Sequence, residues 1–204
     1  MKFLFIILAY LLGSIPTSVW IGKWFYNVDV RDYGSGNAGA TNTFRTLGKL
    51  PGSIVLIIDA LKGFAAVKLI TLLPAYQDHI ALMLVFGITA VIGHIFPVFA
   101  EFRGGKGIAT LLGMIIAIHA GAALLAMAVF ILFFFSTRIV SLSSIMASFS
   151  FPFWLIFRFH ESSPTLVIFS FAIVLLVLVT HQKNLERLLN GEEKKARIRK
   201  KHGV

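Results

Sequence analysis

Runs of about twenty mostly apolar residues recur along this chain, separated by short polar stretches, and that is the length one α-helix needs to cross bilayer hydrocarbon. Inside lipid the backbone must bond to itself, so only helices or a closed barrel can span. An all-α polytopic membrane fold is therefore expected. With 57% hydrophobic residues in 204, the chain holds more apolar length than a soluble core of this size would use. Its formal net charge of +10 does not point to nucleic acid, because the Lys and Arg residues lie between and after the apolar runs. There they read as cytoplasmic anchors and anion-binding groups. The sequence has no cysteine, which excludes disulfide and thiolate chemistry, and no Cys/His cluster has zinc spacing. No metal and no cofactor is expected.

The first run, residues 3–21, has no charged leader beyond Lys2 and no small-x-small cleavage site, so it reads as a transmembrane helix rather than a signal peptide. Gly13, Ser14 and Pro16 interrupt it, where a neighbouring helix can pack closely. Further runs cover 51–73, 79–102, 138–157 and 165–180. Residues 107–137 are too many for one upright helix and too few for two full ones. Two short helices, 107–118 and 122–137, are expected there, with a hairpin tip at His119, Ala120 and Gly121. Seven crossings result. The stretches 22–50 and 101–107, Arg138 and the tail then share one side with nearly all the positive charge. The positive-inside rule makes that side cytoplasmic and the N-terminus external, with cytoplasmic Gly-rich loops forming the site. A membrane domain over 1–190 and a basic cytoplasmic tail over 191–204 follow.

The stretch GHIFPVFAEFRGGKGIAT, residues 93–110, ends one apolar run in a short loop carrying Arg103, Lys106, Gly104, Gly105 and Gly107. Glycines let backbone N–H groups approach an anion, and the cations supply charge beside them. The plainer alternative is a membrane turn marked by positive charge. His94, a group that titrates near neutral pH, lies shortly before the loop. Earlier, in NVDVRDYGSGNAGATNTFRTLGK, the residues Gly34, Gly36 and Gly39 spell GxGxxG, with Asp59 twenty residues on. Asp59 sits in a membrane-length run and no strand–helix repeat follows, so a dinucleotide site is rejected. A nest of backbone N–H groups around Ser35 to Gly39, flanked by Asn37, Thr41 and Asn42 and by Arg45 as a fixed cation, suits phosphate or carboxylate better. Asp59 and Lys62, three apart within a membrane run, read first as an internal ion pair and second as a substrate contact by Lys62. In the tail, HQKNLERLLNGEE, helical spacing puts His181, Asn184, Leu188 and Glu192 on one face and turns Lys183 and Arg187 away.

Several sites are excluded. Ala100 stands where a P-loop needs its first glycine, and Gly107 where it needs Ser or Thr for magnesium. The GxSxG nucleophile elbow is absent. His181 to Glu186 gives HxxxxE, near the HxxxxD of soluble-faced glycerolipid acyltransferases but without the aspartate. The residues alone leave two classes open: an enzyme acting on phosphate groups beside a lipid, and a small anion or phosphate-ester transporter built on broken helices.

GSGNAGATN with Arg45 following, GHIFPVFAEFRGGKGIAT, HQKNLERLLNGEE and the DALKG that begins at Asp59 together resemble the bacterial acyl-phosphate:glycerol-3-phosphate acyltransferases of the PlsY type, over nearly the whole chain. The resemblance implies a cell inner-membrane enzyme of phospholipid biosynthesis. It would move a fatty acyl group from acyl phosphate to the 1-hydroxyl of glycerol 3-phosphate, giving lysophosphatidic acid and inorganic phosphate. Acyl phosphate is a mixed anhydride with a good leaving group, so no covalent enzyme nucleophile is needed. Two mutually repelling anions must be positioned and the developing oxyanion stabilised. The hydroxyl proton passes to His181 or to the acyl phosphate itself, and the alternative for His181 is a plain helix cap. Residues and resemblance together give His181, Asn184, Ser35 and Arg45 as catalytic candidates. The substrate-binding candidates are Gly34, Gly36, Asn37, Thr41, Asn42, Lys62, His94, Arg103, Gly104, Gly105, Lys106, Gly107, Ser143 and Ser144. Expected partners are acyl phosphate, glycerol 3-phosphate and membrane lipid, with the enzyme that makes acyl phosphate as a candidate protein partner.

Overall fold

The computed structural model describes residues 2–76 and 78–196. Their regular structure is entirely helical: α1 (Lys2–Ser14), α2 (Thr17–Tyr26), α3 (Ala40–Thr46), α4 (Lys49–Lys68), α5 (Ile80–Ile95), α6 (Ile108–Thr137), α7 (Val140–Phe153), α8 (Pro164–Thr180) and α9 (Gln182–Leu189), with short 3-10 turns and one π-helical turn. The chain divides into two compact units, Met1–Ala120 and Gly121–Val204.

In the first unit the opening apolar run is broken where the sequence places Pro16. Proline has no N–H and fixes its own φ, so α1 stops at Ser14 and α2 restarts at Thr17 with a 42° bend. The helices then cross with their backbones nearly touching. A Cβ on Gly13 would run into the Ala90 carbonyl, one on Gly93 into that of Tyr10, one on Gly63 into that of Thr110, and one on Gly113 into that of Ala60. Small residues at crossings are how helices associate in lipid, where there is no hydrophobic drive between them. Ala9, Ala66, Ile70, Phe86 and Ala90 close the core between α1, α4 and α5.

In the second unit α7 packs on α8. Pro152 lies inside α7, and the turn that follows widens into the π-helical segment Trp154–Arg158. Ser163 caps α8, accepting from the Leu166 N–H at 3.3 Å, with Pro164 in the first turn.

Among the described residues three stretches, Ile80–Ala100, Ile108–Thr137 and Val140–Arg158, are long and apolar enough to cross a bilayer, and up to five if the bent pairs α1 with α2 and α8 with α9 each count as one. Phe135, Ile168 and Leu175 are 64–70% exposed on these apolar helices, which is what a lipid-facing surface requires. The protein is an integral membrane protein. The break expected near His119 is present, since that residue has φ −145° and ψ 79° inside α6. It is one residue long, where the sequence suggested a three-residue tip. Gly121 instead makes room for the Phe159 ring, 2.7 Å from where its Cβ would stand.

Candidate active site

The first glycine loop folds around Asn42. Gly34 and Gly36 take φ of 67° and 73°, and the loop then enters α3 through Gly39. The Asn42 side chain accepts from the Ser35 N–H at 2.8 Å and donates to the carbonyls of Val30 and Tyr33 at 2.7 and 3.0 Å. It is 1% exposed, and a Cβ on Gly34 would collide with its oxygen. Asn42, expected among the substrate contacts, is spent on holding the loop's shape. The Gly36 N–H bonds to Tyr33 and the Ala38 N–H to Gly104, so with Ser35 three amides of the expected nest are engaged within the protein. Ser35 and Arg45 are exposed, and Asn37 and Thr41 are half-buried.

The central loop wraps the end of α5. Its Gly104 and Gly105 N–H groups donate to the carbonyls of Ile95 and His94 at 3.1 and 3.2 Å. A Cβ on Gly104 would strike the His94 carbonyl, and one on Gly105 the His94 Nε2. These glycines therefore serve close packing over His94, and their amides cap α5. Gly107, at φ 78°, turns the chain into α6. Arg103 is exposed and Lys106 half-buried. The two loops meet, because Ala38 N–H reaches the Gly104 carbonyl at 3.4 Å and Arg31 Nη1 donates to the Ala100 carbonyl at 2.9 Å.

Under the meeting point lies a narrow crevice lined by Thr17, Ala38, Asp59, Lys62, His94 and Gly104. Lys62 Nζ is 2.9 Å from Asp59 Oδ1 and donates to the Ile15 carbonyl at 2.9 Å. That carbonyl is exposed by the helix break at Pro16. Thr17 Oγ1 donates to Asp59 Oδ1 at 3.1 Å, and His94 Nδ1 stands 3.7 Å from the same oxygen. The internal ion pair expected from spacing is thus present, and it also fixes the break between α1 and α2.

In the second unit His181 both ends α8 and opens α9. Its ring is 3% exposed, with Nδ1 at 2.9 Å from the Val177 carbonyl. A carbonyl can only accept, so Nδ1 carries a proton. Asn184 is buried and donates to Glu193 Oε1 at 2.6 Å. The same carboxylate accepts from Ser141 Oγ at 2.8 Å and Arg187 Nε at 2.7 Å. Helical spacing pointed to Glu192 and turned Arg187 outward. In fact α9 ends at Leu189, Glu192 is exposed, and the chain folds back so that Glu193 takes the inward place with Arg187. Ser143 and Ser144 bond back to the carbonyls of Ile139 and Val140 within α7, and Ser141 is the serine that reaches out. The basic cluster of the tail beyond Ala196 lies outside the described residues.

Burial pushes the Glu193 carboxyl up, but hydrogen bonds from Arg187, Asn184 and Ser141 outweigh it and hold it below its ordinary 4.5. A depressed carboxyl contributes its stability in full above the unfolded value and loses it as pH falls through the folded one. The Ala196 N–H, which donates to the Arg138 carbonyl at 2.7 Å, reports on this contact. Its hydrogen-exchange protection, corrected for intrinsic rate, should hold above the ordinary carboxyl value of 4.5 and be lost as pH falls below it. Glu193→Gln should already lack that protection at neutral pH. Wild-type protection in this variant would mean that the carboxylate does not hold the tail.

Comparison with known proteins covers the chain almost end to end. A family model described as glycerol-3-phosphate acyltransferase matches residues 3–191. Among curated relatives, the glycerol-3-phosphate acyltransferase of Endomicrobium trichonymphae is 44% identical, covering 98% of both chains. That of Prochlorococcus marinus strain MIT 9312 is 42% identical over 96% of this chain and 98% of the relative. Among solved structures, PlsY, an integral membrane glycerol 3-phosphate acyltransferase, matches in its glycerol 3-phosphate form with a TM-score of 0.87 and 36% identity, over 96% of each chain. Its lysophosphatidic acid form matches with a TM-score of 0.83 and 36% identity, over 95% of this chain and 94% of that one.

Proposed function

Since this chain belongs to the glycerol-3-phosphate acyltransferase family, of the PlsY type, we propose that it forms lysophosphatidic acid by acyl transfer from acyl phosphate to the 1-hydroxyl of glycerol 3-phosphate. The hydroxyl oxygen bonds to the acyl carbon, the bond from that carbon to the phosphate oxygen breaks, inorganic phosphate leaves, and the hydroxyl proton goes to His181. No covalent acyl-enzyme forms. The observation that carries this reading is the junction of the two glycine loops at Ala38 and Gly104, above the buried Lys62. It supports Ser35, Arg45, Arg103 and Lys106 as the groups that hold substrate phosphates, with the loops' own amides giving them a rigid base. His181, through Nε2, is the proton acceptor in this proposal, and Asn184, its amide fixed by Glu193, orients a substrate oxygen.

The proposed setting is the cytoplasmic membrane, with seven crossings, an external N-terminus and the glycine loops facing the cytoplasm. The break at His119 and the distribution of Lys and Arg support it. The transport reading leaned on a broken helix, yet at the break between α1 and α2 the Ile15 carbonyl is already taken by Lys62. In the test, purified protein is given synthetic acyl phosphate, glycerol 3-phosphate, or both. Phosphate should be released only with both, in step with lysophosphatidic acid. Release without the acceptor, or an acylated protein seen by mass spectrometry, would overturn the direct transfer.

A further inference from the structure

Arg31 sits just ahead of the first glycine loop, outside the GSGNAGATN motif, and makes an extensive set of contacts there. Its Nε lies 3.0 and 3.2 Å from the two Asp29 oxygens and its Nη2 lies 2.7 Å from Oδ2. The Arg31 backbone N–H also donates to Asp29 Oδ1 at 3.0 Å, and Lys23 stands 3.4 Å away. The guanidinium's remaining edge crosses to the central loop, where Nη1 donates to the Ala100 carbonyl at 2.9 Å, with Glu101 at 4.0 Å. The Arg31 and Asp29 side chains are only 7% and 14% exposed. A second link between the loops, Ala38 to Gly104, is a long 3.4 Å bond. Past Ala100 the chain runs through two left-handed residues, Glu101 and Phe102, both at φ 57°, which side chains with a Cβ adopt only under constraint from outside.

We propose that Asp29 and Arg31 form a clamp that holds the first glycine loop against the central one, making Arg31 a positioning residue for the substrate anion. The proposal rests on the acyl-transfer reading of these loops. Arginine is required because one planar group must grip a carboxylate along one edge and a carbonyl along another, which a lysine ammonium on a flexible stem cannot do at once. The Arg31 hydrogen bond also holds the Asp29 carboxyl well below the usual carboxylate range, so the grip persists at any pH where the enzyme is assayed. Without the clamp, Ser35 and Arg45 on one loop lose their fixed distance to Arg103 and Lys106 on the other.

The experiment combines kinetics with a distance. The sequence has no cysteine, so spin labels can be placed by Tyr33→Cys and Phe102→Cys, two exposed positions flanking the loops. The parent should give one narrow label distance. Arg31→Lys should broaden it and raise the KM for glycerol 3-phosphate about tenfold or more, with kcat changed less and the thermal midpoint within a few degrees. Asp29→Asn, which keeps Arg31 but frees it, should do the same to a smaller degree. The double variant should be no worse than Arg31→Lys alone, since the two residues act as one device. A raised KM with a narrow distance, or a broad distance with an unchanged KM, would overturn the clamp. So would a variant that loses stability and activity in equal measure while Asp29→Asn behaves as wild type. If the parent shows no acyl transfer at all, the functional reading fails, and the label distances still decide whether Arg31 holds the loops together.

Discussion

Lys62→Met should leave little folded protein after extraction in mild detergent, while Asp59→Asn combined with Lys62→Met should restore much of it. The pair is deep, with Asp59 at 1% and Lys62 at 5% exposure and a separation of 2.9 Å. Removing one partner of such a pair strands the other charge and typically costs about 3–5 kcal/mol, a large part of a domain's total of about 5–15. Removing both charges together avoids that penalty. Lys62 has a second duty, since its Nζ donates to the Ile15 carbonyl opened by the break at Pro16. The double variant should therefore still fall short of wild type, by roughly the 0.5–1.5 kcal/mol of one hydrogen bond, since that carbonyl keeps the Thr17 N–H at 3.0 Å. The check is the thermal midpoint by size-exclusion chromatography of wild type, both single variants and the double. Should Lys62→Met fold as well as wild type and fail only in catalysis, the pair would belong to substrate binding and not to the frame.

Apolar periodicity was enough to read the helices, and single residues marked where they stop. Pro16 broke the first run because it has no N–H, and the excess length of 107–137 signalled the break found at His119. The meeting of the two glycine loops was also legible, since both carry glycines beside fixed cations. What those glycines do was not. A missing Cβ permits close approach, and the sequence is silent on whether a ligand or another part of the chain approaches. At Gly104 and Gly105 it is the end of α5 and the His94 ring. At Gly34 it is the Asn42 amide, which is why a residue that looked like a ligand contact is a strut. Arg31 and Glu193 escaped notice for a related reason. Each is defined by a partner far along the chain, Ala100 at 69 residues' distance and Ser141 at 52, and charge spacing within one segment says nothing of such pairs. Glu192 was the natural choice on a continued helix, and the end of α9 at Leu189 passed the role to its neighbour.

The largest effect on catalysis without loss of fold is expected from His181→Asn. The ring makes two separable contributions. Its Nδ1–H donates to the Val177 carbonyl at 2.9 Å, which helps fix the bend where α8 gives way to α9. In the proposed reaction its Nε2 takes the hydroxyl proton. An asparagine amide nitrogen can stand where Nδ1 stands, so His181→Asn keeps the cap and removes the acceptor. The thermal midpoint should stay close to wild type while kcat falls about a hundredfold or more, the scale of losing a positioned base or donor. His181→Ala should lose the same activity and some stability as well, because the buried carbonyl is then left with fewer donors. Lys183→Ala, an exposed neighbour on α9, should change neither quantity. Solvent exposure of Lys183 makes it the control for any general disturbance of the tail helix. If His181→Asn stayed within a few-fold of wild type, the histidine would be a cap and nothing more, and the hydroxyl proton would pass directly to the acyl phosphate.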